Sequence, residues 1–181
     1  EHLHYINSGE FDKAEALIPE IEDGLTKYQE KINKARLLSF WYNIMVMYFI
    51  MHKFKEAVVW ANTILDDKSE IKQDISNTTR LLLPIIHFEL GHHDLVENLT
   101  RSAYRTLSSK NRLHDFEKEL IKYLKGMPLS SNTEEFMSKL TLFNEKLGVL
   151  QKTQTMKSYA MEEVTLWVNS HISSNRMSDI L

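Results

Sequence analysis

Residues 41–57 read WYNIMVMYFIMHKFKEA, and this stretch decides the fold because it spans one complete joint between two helices. Tyr48 is followed six residues later by Phe54 and three residues after that by Ala57. The spacing predicts a helix hairpin in which the tyrosine packs late in the first helix and the phenylalanine follows a tight turn. The small alanine lets the second helix approach closely. The same spacing occurs 43 residues earlier in Tyr5, Phe11 and Ala14.

A degenerate third copy of this pattern begins 39 residues after the second, as His87, His93 and Val96. Self-similarity at a near-constant spacing indicates one supersecondary unit used repeatedly. Glycine stands at the turn in the first and third copies, as Gly9 and Gly91. We therefore expect an all-α protein of about eight or nine helices, arranged as stacked antiparallel hairpins in an α-α superhelix.

The composition agrees with a helical chain, since the five glycines are isolated and only three prolines occur. Breaks in the helical periodicity are expected at 8–9, 30–33, 52–53, 66–69, 91–92, 108–110 and 126–132. Ser131 and Glu134 have capping-box spacing and predict a helix start. Pro19 and Pro84 lie inside helical patterns, where we expect kinks.

The better copy resembles the tetratricopeptide repeat, whose signature begins Trp-x2-Leu-Gly-x2-Tyr. The same spacings hold Trp41, Ile44, Met45 and Tyr48, and Ala57 matches the family's next small residue. The position of the family's large aromatic residue holds Ala61, and the closing proline is missing. The stretches SGEFDKAEALIPEIEDGL and IIHFELGHHDL also look like uncharacterised bacterial helical-repeat proteins. This resemblance implies a non-catalytic scaffold that binds a protein or peptide, and no cofactor.

Two regions are expected along the chain: tetratricopeptide-like repeats over 1–126, and a C-terminal helical hairpin over 127–181 that packs on them with frayed last residues. Tyr5 lies too near the first residue for a full first helix. We therefore expect a first repeat truncated at its N-terminus, within a longer repeat protein. The alternative is a sensor or regulatory segment of a transcription regulator or enzyme whose active part lies upstream.

Several kinds of site and location find no support in the residues. Cysteine is absent, which excludes thiolate chemistry and fits a reducing compartment, so we expect a cytoplasmic protein. Isolated glycines cannot form a phosphate-binding loop. The apolar run 37–51 has 15 residues, fewer than the roughly 20 of a membrane helix. The net charge of −3 gives no general attraction to nucleic acid.

A histidine-rich turn is the one cluster with ligand chemistry, and its members are His87, Glu89, His92, His93 and Asp94. Imidazole and carboxylate groups bind metals, but this spacing matches no familiar metal motif. His87 and His93 already occupy packing positions of the repeat. We therefore expect no metal site and no catalytic residue, and the chain is interpreted as a non-enzyme.

Charge is unevenly distributed along the chain. Residues 1–30 carry a net charge of −6, and residues 100–126 carry a net charge of +4. A basic strip can hold an acidic partner or nucleic acid, although a solvated face is the ordinary interpretation. All three tryptophans fit helix cores, since Trp41 and Trp60 belong to the repeat and Trp167 to the last apolar stripe.

The resemblance places a partner-binding groove on the inner face of the first helices. Its predicted members are Tyr42, Asn43, Val46, Phe49, Leu81, Ile85 and Phe88. Only Asn43 keeps the polar chemistry of family members that clamp a peptide carboxylate. An apolar groove must be filled, because large exposed apolar patches are rare on soluble monomers. The occupant is either a hydrophobic segment of a protein or peptide partner or the chain's own C-terminal helix around Trp167.

Overall fold

The computed structural model describes residues 4–5, 8–28, 30–127, 133–153, 158 and 160–180, and this part of the chain is helical without any strand. The helices are α1 (Phe11–Ala16), α2 (Ile18–Tyr28), α3 (Lys34–Ile50), α4 (Phe54–Asp66), α5 (Gln73–Glu89), α6 (His93–Ser109), α7 (Asp115–Gly126), α8 (Thr133–Thr153) and α9 (Ala160–Ser173). A 3-10 turn, Met177–Asp179, follows α9. The predicted all-α class is confirmed. Among these helices, none combines the length and the apolar character of a membrane span.

The three copies of the sequence pattern are three copies of one backbone joint. The fourth residue after the first position of each copy has a positive φ: 73° at Gly9, 58° at His52 and 75° at Gly91. The next backbone N–H donates to the carbonyl five residues earlier, at 2.9 Å in each copy: Glu10 to Tyr5, Lys53 to Tyr48 and His92 to His87. This bond closes the C-terminal end of a helix. The repeat is therefore one of conformation as well as of side chains.

From α3 onward, neighbouring helices along the chain pack on one another, and the most extensive contacts join α3 to α4 and α5 to α6. Ala57 and Ala61 of α4 are fully buried. Small side chains at these positions let the helix axes approach. Ala61 stands where the tetratricopeptide consensus has a large aromatic residue.

The last helix returns across the array. α9 packs on α8 and also contacts α5 and α3. Trp167, in the middle of α9, is one of the largest fully buried side chains, together with Phe49 of α3 and Phe116 of α7. One continuous core thus includes residues from the early and the late helices.

The helix ends follow the expected breaks with two additions. Asn33 caps α3, since its side-chain Oδ1 accepts from Ala35 N at 2.8 Å. The capping box predicted at Ser131 lies outside the described residues, but Glu134 lies in the first turn of α8. One break, at Leu17, was not predicted, and the other lies inside the predicted C-terminal hairpin, between α8 and α9.

The two prolines behave differently. Pro84 lies inside α5, as expected. The kink predicted at Pro19 is wrong, because the chain breaks at Leu17 and Pro19 becomes the second residue of α2. The first turn of a helix tolerates proline, since the N–H group there has no partner within the helix.

Candidate functional site

The residues of the predicted groove lie on the inner faces of α3 and α5. Phe49 and Ile85 are fully buried and Leu81 is 2% exposed. Partial burial is found for the other four members: Tyr42, Asn43, Val46 and Phe88. Three of the seven members are therefore in the core, and a use of these residues in partner binding stays a prediction.

The chain's own C-terminal helix lies on this face. Tyr42 Oη donates to Oε1 of Glu163, in the first turns of α9, at 2.6 Å. Phe88 makes an edge contact with Trp167, and their ring centroids are 6.5 Å apart. Of the two occupants that the sequence left open, the structure has α9.

A buried carboxylate anchors the middle of α9. Glu89, the last residue of α5, accepts from Trp167 Nε1 at 2.6 Å and lies 2.7 Å from His171 Nε2. Burial alone would raise the pKa of Glu89, but these two bonds outweigh it and hold the pKa below the ordinary value. The charged form of Glu89 therefore favours the docked position of α9.

A second buried carboxyl, Glu163, has the opposite balance. Burial raises its pKa, and the hydrogen bond from Tyr42 offsets only part of that effect. Its Oε2 atom has no hydrogen-bond partner within the part of the chain that the structure describes. Ionised Glu163 therefore opposes the packed state, because a buried charge with an unsatisfied oxygen is costly.

The histidine-rich turn separates into two groups in the structure. The Nδ1 atoms of His87 and His92 lie 3.1 Å apart, whereas Glu89 points to α9. His93 packs its ring against Phe88. Over the described ranges, no three histidine or acidic side chains converge in a way that could hold a metal ion.

An open cleft lies at the first end of the array, between α2, α3 and α4. It has a volume of about 480 Å³ and is lined by Glu22, Leu25, Thr26, Leu37, Trp41, Val59, Trp60 and Thr63. We call it the tryptophan cleft. Trp41 and Trp60 are only partly buried, and Val59 is 62% exposed. The volume falls within the roughly 300–1,000 Å³ of small-ligand pockets, and the lining joins aromatic rings to a few polar groups.

The surroundings of the tryptophan cleft are acidic on the α2 side. Glu22 lines it directly, and Glu20 and Asp23 are exposed on the same helix. At the α3 side, Lys34 Nζ lies 5.0 Å from the ring centroid of Trp41 and is ion-paired with Asp67. The cation of Lys34 is thus matched by an acid, while α2 carries three acids and one lysine, a net charge of −2.

A smaller notch of about 210 Å³ lies between α7 and α8. Its floor contains the stacked rings of Tyr123 and Phe143, with centroids 4.5 Å apart. Its rim includes Lys146, which pairs with Glu119 at 2.7 Å. The basic strip predicted from the sequence reaches this region, since Lys122 also lines the notch.

The tryptophan cleft was not predicted from the sequence, where Trp41 and Trp60 were assigned to the core. A signal was present in α4. The buried stripe of α4 is Ala57, Ala61 and Ile64, and Val59 and Trp60 lie off that stripe. Two neighbouring apolar residues outside a core stripe indicate an apolar surface.

No family model, curated protein or solved structure matches the chain, so these comparisons do not indicate a family.

Proposed function

We propose that the chain is a non-catalytic scaffold of the tetratricopeptide-like kind that binds a peptide segment of a partner protein. The observation that carries the proposal is the tryptophan cleft, an open cavity of about 480 Å³ with Trp41 and Trp60 in its walls. Partly exposed tryptophan at a concave surface is typical of residues that dominate binding energy. The proposal includes action in the cytoplasm, a bacterial origin and a protein partner in preference to nucleic acid.

The chemistry of the cleft defines the segment. Its apolar wall fits one or two large apolar side chains, such as leucine or phenylalanine. Glu22 at the wall and the net charge of −6 over residues 1–30 favour lysine or arginine beside them. The proposed ligand is therefore a short basic segment with an apolar centre.

The contacts made by the buried titratable groups support the non-catalytic part of the proposal. Glu89 and His171 are bonded to each other, and Glu163 is bonded to Tyr42. All of these contacts join α9 to the rest of the core. The groups therefore serve packing and do not face the tryptophan cleft.

A fluorescein-labelled peptide of sequence Arg-Lys-Leu-Phe-Arg-Lys tests the proposal by anisotropy. We expect saturable binding that weakens with salt. Two control peptides replace either the four basic residues by acidic ones or the Leu-Phe centre by Ser-Ser, and both should bind at least about tenfold more weakly.

Variants of the protein locate the binding. Trp60→Ala should weaken binding of the basic peptide at least about tenfold, since a central aromatic anchor is lost. Leu142→Ser is the matched control, because Leu142 is 58% exposed on α8, away from the cleft. Equal affinity in the Trp60 variant, or tighter binding of the acidic peptide, would show that the proposal is wrong.

A further inference from the structure

Tyr104 is an aromatic side chain that projects from the outer surface of α6. It is 43% exposed, while its neighbour Ala103 belongs to the buried stripe of the same helix with Val96 and Leu107. Nζ of Lys125, on α7, lies 4.8 Å from the centroid of the tyrosine ring. This contact restricts the motion of the exposed ring, which therefore keeps a defined position on the surface.

Basic side chains surround Tyr104. Arg105 follows it directly and is exposed, and Arg101 lies one turn earlier on α6 in an ion pair with Glu97. The net charge over residues 100–126 is +4. Tyr104 is therefore a large apolar side chain in a basic surrounding, which is the chemistry that the tryptophan cleft fits.

The cleft of the same molecule is out of reach of this tyrosine. α6 packs on α5 and α7, whereas α2, α3 and α4 form the cleft. Because α5 packs between α4 and α6, an occupant with the chemistry of Tyr104 must come from another molecule.

We propose that Tyr104 of a second copy of this chain enters the tryptophan cleft, so that copies associate head to tail. The inference rests on the proposed function, since it names the partner of that same cleft. Glu22 and the other acids of α2 face the basic surface around Tyr104 in this arrangement, so the charges of the two surfaces are complementary. The two surfaces differ, and such heterologous contacts form open chains of molecules unless the rotation closes a ring.

Sedimentation velocity of the intact chain over a range of protein concentrations tests the proposal. We expect the mean sedimentation coefficient to rise with concentration at low salt. The rise should disappear at about 1 M salt, where the Debye length is about 3 Å. Tyr104→Ser and Trp60→Ala should each raise the dissociation constant at least about tenfold. Val149→Ser, an exposed apolar change on α8 outside both cavities, should leave it unchanged.

Mixing the two variants gives the most specific result. The Tyr104→Ser protein keeps an intact cleft, and the Trp60→Ala protein keeps an intact tyrosine. Each alone should be mainly monomeric at concentrations where the wild-type chain associates, and an equimolar mixture should form dimers that grow no further. Where Trp60→Ala does not fold, Val59→Arg serves instead, because Val59 is 62% exposed in the cleft and a cation there repels the basic surface.

The outcomes separate this inference from the proposed function. A wild-type chain that is monomeric at every concentration overturns the inference, as does association that survives either variant. If the basic peptide still binds and still needs Trp60, the proposed function stands with a different partner. If the peptide does not bind either, both are wrong.

Discussion

The two sides of α3 differ in what covers them, although the sequence of this helix is apolar nearly all round. On one side, Tyr42 is bonded to Glu163 of α9, Phe49 is fully buried, and hydrogen bonds to buried carboxyls hold α9 in place. On the other side, Trp41 faces an open cleft of about 480 Å³. An apolar helix surface is available to a partner only where no other element covers it, and among the described residues that holds for the Trp41 side of α3.

The largest expected effect comes from the covered side. The double substitution Tyr42→Ser and Phe49→Ser removes a fully buried ring and the hydroxyl bonded to Glu163. We expect a loss of about 4 kcal/mol or more in the free energy of unfolding, measured by urea denaturation. Val59→Ser is the control on the open side and should change stability by no more than about 0.5 kcal/mol. A double variant as stable as the wild type would mean that α9 does not cover this face.

The next expected effect concerns the contact between α3 and α4. Ala57 is fully buried there, and Ala57→Leu should cost about 1–3 kcal/mol because the helices are forced apart. Val59→Leu adds one methylene group two residues away at an exposed position and should have little effect. Thermal melting of both variants checks the register, which is wrong if Ala57→Leu melts at the wild-type temperature.

The two buried carboxyls should respond to pH with opposite signs. The pKa of Glu89 is lowered in the folded state, so its stabilising contribution is present above about 4.5 and is lost as the pH falls through the folded value. Glu89→Gln should cost about 1–3 kcal/mol at pH 7. The difference from the wild type should shrink on acidification, which urea denaturation at several pH values measures.

Glu163→Gln provides the comparison. Because the pKa of Glu163 is raised, ionisation of this carboxyl destabilises the fold as the pH rises from about 4.5 through the folded value. The amide at position 163 stays neutral and can still accept from Tyr42. The free energy of unfolding of the variant, relative to that of the wild type, should therefore increase by about 1 kcal/mol between pH 4 and pH 7. A variant that becomes less stable than the wild type as the pH rises would contradict the raised pKa of Glu163.

The smallest effect tests the repeated joint, whose third copy connects α5 to α6. Gly91 has a φ of 75°, a left-handed conformation that costs a residue with a Cβ about 1 kcal/mol. Gly91→Ala should be destabilising by that amount. Gly148→Ala, inside α8, should stabilise by about 0.5–1 kcal/mol, since alanine favours a helix and meets open space there. Equal effects of the two changes on the melting temperature would contradict the left-handed conformation of Gly91 in this joint.

The joints could be predicted from the sequence because they depend on local chemistry. Tyr48, Phe54 and Ala57 lie within ten residues, and their spacing alone defines the turn and the close helix contact. The kink at Pro19 could not be distinguished from a helix start, since proline fits both. The difference depended on a break at Leu17, which no local signal marked.

The candidate site depends on packing between residues that are far apart in the chain. The spacing of residues in the sequence does not specify such contacts. Glu89 and Trp167 are 78 residues apart in the chain and share a hydrogen bond. Nothing in the sequence stated which apolar face of α3 would receive α9 and which would stay open. Only the off-stripe position of Val59 and Trp60 in α4 pointed to the cleft.

The indole N–H signals of the three tryptophans give the most direct test of the claim that the open side, and not the covered side, binds a partner. Two-dimensional NMR of the intact chain, with signals assigned by single Trp-to-Phe variants, is recorded while the basic Leu-Phe peptide is added. The signals of Trp41 and Trp60 should shift and saturate, while that of Trp167, bonded to Glu89, stays in place. A shift of Trp167 with the other two unchanged would contradict the account.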